Sequence, residues 1–152
     1  MRVAALTDAI GRGLVAGVAG TAAMTVSSTV EAKLRGREFS TAPAAAAAKV
    51  LGIKEFTGDP ARSRFSNLTH WCYGTGWGVV RGLLAAAGHS PARATAGHLA
   101  AVWGSEQVML PALSVAPPLT RWGREDIAID GFHHAVYALG TGLAYEALSN
   151  GA

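Results

Sequence analysis

The sequence is poor in charge, poor in aromatics and carries one cysteine. Cys72 alone excludes an intrachain disulfide, and no zinc-knuckle or CxxC spacing can be built around it. It reads as a small packing residue within a helix. Charged residues make up 15% of the 152, well under the share of about 25% usual in soluble domains. The net charge of +3 is not drawn into a basic stripe interleaved with aromatics, so nucleic-acid binding has no support. No GxSxG, Walker A or HExxH occurs in a setting where it could act, and no catalytic residue is assigned. The run Tyr73-Gly-Thr-Gly-Trp-Gly contains a formal GxGxG, but it follows no strand and reads as a packing stripe instead of a phosphate cradle. No Pro/Gly/Ser-rich linker divides the chain, which predicts a single domain over 1–152.

What is present is apolar and small. Half the residues are hydrophobic and 19 are glycine, a combination that favours a polytopic membrane protein over a soluble helical one. Alanine and glycine supply much of that apolar character, so a soluble helical bundle stays open as an alternative. The predicted fold is all-α, a four-helix transmembrane bundle with spans near 10–31, 68–87, 92–115 and 127–148 and a short extra helix in the first loop. A span of about 20 residues rises roughly 30 Å, the thickness of a bilayer core.

The organising stretch is HWCYGTGWGVVRGLL, residues 70–84. Gly74, Gly78 and Gly82 stand four apart and form one smooth helical stripe, against which another backbone can lie closely. Gly13, Gly17 and Gly20 do the same for the first span. These glycine faces predict tight helix packing within the bundle, or association with a second copy or another membrane protein. Thr7 and Asp8 read as the start of the first helix; a cleaved signal peptide is the rival reading of that region. Ser40 to Gly52 reads as a short capped helix that lies on the surface or tucks against the bundle, with Pro43 in its first turn. Ser90 is expected to cap the third span and Pro91 to occupy its first turn, Pro111 to kink or end that span, and Asp126 or Asp130 to cap the fourth. Trp122 reads as an interfacial aromatic.

Basic residues set the orientation. The connections 33–67 and 116–126 share a side and hold nine Lys/Arg, which predicts that they are cytoplasmic and that both termini lie outside.

The ionisable groups within the spans are the candidates for chemistry, because charge in lipid is costly and needs a partner or a purpose. They are Glu31, His70, Arg81, His98, Glu106, His133, His134 and Tyr137, read together as a candidate intramembrane polar network. Arg81 and Glu106 are expected to pair and fix helix register; the functional version of the same set is a proton or ion path. No Glu-x-x-His is present, so the di-iron bundle pattern is absent. No metal ligand or cofactor is assigned, with His70, Glu106 and His134 as the candidates should a transition metal bind. Haem held by His70 with His133 or His134 is the competing redox reading. A faint echo relates His70-Trp-Cys-Tyr73 to His134-Ala-Val-Tyr137, either an internal duplication or chance.

GLVAGVAGTAAMT in the first span, HWCYGTGWG in the second and HHAVYALGTGLAYE in the fourth resemble small bacterial inner-membrane proteins of the YagU-like type. The resemblance covers the order of four spans and their glycine-rich helix starts; the long first loop departs from it. It implies a multi-pass protein of the bacterial inner membrane with a link to envelope or acid stress, and it carries over no functional residue. The expectation is a non-enzymatic membrane component in proton, ion or small-solute handling.

Overall fold

A computed structural model describes residues 3–38 and 40–151. Within them the chain is all-helical: α1 (Val3–Arg35), α2 (Ala42–Val50), α3 (Asp59–Ala86), α4 (Pro91–Ala112) and α5 (Arg124–Asn150), with a single 3₁₀ turn at Leu119–Arg121. Four long helices run up and down, and α1 is flanked by α3 on one side and α5 on the other. Helix α4 closes the far side against α5 and α3.

Small residues decide how closely these helices approach. Along the α1–α3 seam, a methyl group placed on Gly13 would lie 2.5 Å from the Gly78 carbonyl oxygen, and one on Gly17 would lie 2.6 Å from that of Thr75. A methyl on Gly74 would collide with the Thr21 side chain, and one on Gly82 with the Ala9 carbonyl. Gly20 serves the second seam, where added bulk would strike Thr141 and the Tyr137 carbonyl of α5. Each of these six glycines lies against another helix of the same chain. Gly142 and Gly131 extend the principle to the α4–α5 contact, facing Thr95 and Trp103.

The interior that results holds few large apolar side chains. Its biggest fully buried side chains are Arg81, His98, Thr21 and Thr141. Many leucines and valines face outward instead, Val15 being 58% exposed, Val108 71% and Leu143 72%, while Val102 and Leu110 are buried. Helix α1 alone among the described helices is both long and apolar enough over its best stretch to cross a membrane.

Local boundaries correct several expectations. Helix α1 already runs from Val3, ahead of Thr7 and Asp8, because nothing between them breaks the helical run. Helix α3 begins at Asp59 with Pro60 in its first turn, well ahead of the span start expected near 68. Helix α5 begins at Arg124 behind Gly123, so Asp126 lies in its first turn and Asp130 well inside it; neither is the cap. Ser90 does occupy the cap position of α4, without a side-chain capping bond, and Pro111 sits one residue before that helix ends. Helix α2 spans Ala42–Val50 with Pro43 in its first turn. It tucks its buried Ala44, Ala46 and Ala48 inward, beside α3. Gly52, at φ +69°, supplies the left-handed turn that ends the α2 segment. Lys49 reaches from α2 to the end of α4, donating to the carbonyls of Leu113 (2.6 Å) and Ser114 (3.1 Å), where a cation meets the negative pole of the helix. Cys72 is exposed on the outer face of α3, not packed inside.

Candidate functional site

The helix register sorts the ionisable groups into two tiers. One tier lies toward the end of the bundle where α1 and α4 finish and α3 and α5 begin. The other lies toward the opposite end.

In the first tier, α5 presents adjacent histidines to different neighbours. His133 turns to α1, where its Nδ1 lies 2.9 Å from the Ser27 hydroxyl and its Nε2 lies 3.6 Å from Glu31. Glu31 is also held by Arg35 at 3.2 Å and by a close fork from Arg37. The carboxylate thus closes the basic end of α1. His70 of α3 meets α1 about half a turn deeper, with Nε2 2.9 Å from the Thr25 hydroxyl. Each of these histidines is engaged by a different hydroxyl of α1.

His134 turns the other way, to α4. Its Nε2 lies 2.8 Å from Glu106 Oε2, and its Nδ1 lies 2.9 Å from the backbone carbonyl of Asp130, one turn earlier. The Asp130 carboxylate closes the group: Oδ1 is 3.6 Å from His134 Nδ1, and Oδ2 accepts a 2.7 Å hydrogen bond from the indole N–H of Trp103. One donor atom from each of Glu106, Asp130 and His134 falls within 4.8 Å of the other two. The spacing Asp130–His134 is i, i+4, which puts both on one helical face. Glu106 comes from the antiparallel neighbour at matching height. Neither carboxylate has a Lys or Arg partner among the described residues.

In the second tier, Arg81 is fully buried and its Nη2 donates to Glu146 Oε1 at 2.5 Å. Its guanidinium carbon also lies 4.7 Å from the centre of the Tyr145 ring, a cation–π arrangement. The expected Arg81–Glu106 pair does not form. Both Arg81 and Glu146 lie about one and a half turns from the ends of parallel helices, whereas Glu106 lies some 15 residues into α4, about 22 Å from its start. An arginine side chain cannot bridge that difference. Arg81 Nε and Nη1 and both ring nitrogens of His98 have no protein partner although fully buried. The His98 ring stacks obliquely on Tyr137 at 5.3 Å. Tyr137 crosses the interior and donates its hydroxyl to the Gly74 carbonyl at 2.6 Å, tying α5 to α3.

The residues singled out from sequence are thus brought to one interior, but as separate pairs. His70 and His134 occupy different settings, and Tyr73 is exposed where Tyr137 is buried, so the echo between the two helices is not an echo of environment. Sequence reasoning missed Asp130 as a site residue because it was read as a cap, and missed Glu146 altogether. The signal for Glu146 was its depth, which matches that of Arg81. Comparison with known protein families, with curated proteins and with solved structures finds no match to this chain.

Proposed function

We propose that this chain is a multi-pass integral membrane protein of the bacterial inner membrane, with α1, α3, α4 and α5 crossing the bilayer and the basic connections cytoplasmic. The observation that carries this reading is the inverted distribution of side chains. Arg81 and His98 are fully enclosed while Leu143, Val108 and Phe132 face out. In water that arrangement forfeits the burial that drives folding, roughly 1.5–3 kcal/mol for each large apolar side chain left outside. In lipid the same side chains need no burial, and small residues with close backbone contact hold the helices together. The resemblance to YagU-like proteins supports the same membrane and suggests envelope or acid stress as its setting.

Within that membrane bundle the function is non-enzymatic proton or small-cation handling. Its support is the placement of exchangeable groups in both tiers: His98, Arg81 and Glu146 toward one end, and Glu106, His134 and Asp130 toward the other, with Tyr137 between. Intramembrane ionisable groups facing a bundle interior are the usual parts of such paths. The six packing glycines are consumed within the chain, so any second copy or partner protein would dock on the remaining outward faces.

Two measurements test the reading in order. Membranes from expressing cells are washed with alkaline carbonate: retention until detergent is added supports the integral assignment, and release by carbonate overturns it in favour of a soluble bundle. Purified protein in liposomes is then assayed with an entrapped pH-sensitive dye. Proton flux that is lost in Glu106→Gln supports proton handling, and absence of flux overturns that part. An optical spectrum of the same preparation tests the redox alternative, since haem held by the histidines would show a Soret band.

A further inference from the structure

The Glu106–Asp130–His134 group poses a bonding problem of its own, whether or not the helices lie in lipid. Both ring nitrogens of His134 sit against oxygen acceptors, Nδ1 at 2.9 Å from the Asp130 carbonyl and Nε2 at 2.8 Å from Glu106 Oε2. A neutral imidazole has a single N–H. When Nδ1 donates that hydrogen to the carbonyl, Nε2 presents a lone pair to the lone pairs of a carboxylate at contact distance. Either a second proton on the ring or a metal ion drawn in beside Nε2 relieves that contact. The surroundings add to this demand, because Asp130 brings a second carboxylate and no Lys or Arg of the described residues pairs with either acid.

We propose that Glu106, Asp130 and His134 form a binding site for a divalent first-row transition-metal ion of the zinc type, coordinated by His134 Nε2 and one oxygen from each carboxylate. The donor set of one imidazole and two carboxylates suits such ions. Tetrahedral bonds of about 2.1 Å place ligand atoms roughly 3.4 Å apart. One ring nitrogen of His134 and one oxygen from each carboxylate already fall within 4.8 Å of one another, close to that spacing. The outer contacts are those that orient metal ligands elsewhere. Nδ1–H on a backbone carbonyl fixes the ring with Nε2 inward, and the Trp103 indole holds Asp130 Oδ2 so that Oδ1 is left to coordinate. Three protein ligands leave a fourth position for water. Residual exposure of the Glu106 and Asp130 side chains, 17% and 24%, gives an ion a way in.

The test uses the full chain in detergent, stripped with chelator and titrated with Zn²⁺ at about neutral pH. Calorimetry and elemental analysis should give one zinc per chain. Affinity should fall at least tenfold in His134→Ala, in Glu106→Gln and in Asp130→Asn, and stay unchanged in His89→Ala, a histidine of the α3–α4 link. Cobalt replacing zinc should give the intense visible bands of a tetrahedral site, lost in the same three variants. Circular dichroism establishes that each variant is helical; if His134→Ala is not, Glu106→Gln and Asp130→Asn, which preserve side-chain volume, decide the matter. Wild-type protein that takes up no stoichiometric zinc overturns the proposal. So does zinc uptake that survives in the folded variants, since the ion would then sit elsewhere. Membrane release by carbonate would leave this experiment untouched, so the two proposals fail separately.

Discussion

Replacing Gly78 by alanine should loosen the bundle more than any other single added methyl group at its centre. A Cβ at this position would overlap the Gly13 carbonyl and lie 2.7 Å from Gly17 Cα and 2.8 Å from Gly17 N. Ordinary carbon contacts are about 3.5–4.0 Å, so α1 and α3 would have to part by roughly an ångström. All the atoms struck are backbone, and none can rotate away. Overpacking typically costs about 1–3 kcal/mol, and the absence of a flexible neighbour argues for the upper end. Against this, alanine gains up to about 1 kcal/mol over glycine in helix propensity. The net expectation is a loss of about 2 kcal/mol. Gly76 and Gly104 provide the control, because both are helical and a methyl group there would meet nothing within 4 Å. Alanine at either should gain roughly 0.5–1 kcal/mol. Thermal unfolding followed by circular dichroism in one detergent reads the difference at about 2–4 °C per kcal/mol for a chain of this size. Gly78→Ala should melt several degrees lower and Gly76→Ala and Gly104→Ala slightly higher. A Gly78→Ala protein as stable as Gly104→Ala would refute the close α1–α3 seam.

Glu146→Gln leaves the Arg81 guanidinium buried without its counter-charge. Breaking a fully buried pair costs about 3–5 kcal/mol; because the Glu146 side chain is still 34% exposed and solvent screens it, a loss of about 2 kcal/mol is expected. Adding Arg81→Met should restore most of that, and a double variant no more stable than Glu146→Gln would show that the pair is not what holds these helices. Tyr137→Phe removes the hydroxyl that donates to Gly74 O and should cost about 1 kcal/mol, read by the same melts. At the basic end, hydrogen bonding to Arg35 holds the Glu125 carboxyl below its ordinary range. A lowered folded-state value means that the stabilisation is present above the ordinary carboxylate range and is lost as the pH falls through the lowered value. Melting curves taken down through that acid range should therefore decline more steeply in the native chain than in Glu125→Gln; equal slopes would dismiss the contact.

The parts of this architecture that sequence could reveal are those governed by local spacing. Gly74, Gly78 and Gly82 repeat every four residues, and each faces α1; Gly13 and Gly17 share that spacing and face α3, while Gly20, three residues on, faces α5. A four-residue repeat fixes a face of a helix whatever its neighbours are. Pro43 and Gly52 bounded α2 for the same reason, since each constrains only its own backbone. Partner identity is a different kind of information. His133 and His134 are adjacent in sequence, yet one meets Glu31 and the other Glu106, because a step of 100° around α5 separates the α1 side from the α4 side. Spacing along one helix cannot say which neighbour lies in each direction. Depth can say more, and it was the quantity that went wrong for Arg81: Glu106 is an acid in the correct bundle but at the wrong height, while Glu146 has the correct height on a helix parallel to α3. Asp130 fails for a third reason. Its position near the start of a helix is where aspartate caps are common, and only the true start at Arg124 turns the same residue into an inward-facing carboxylate. Register decides whether an acid near a helix start satisfies backbone N–H groups or joins a ligand set, and register here depends on Gly123 and on the packing of Gly131 against Trp103, which sequence spacing does not display.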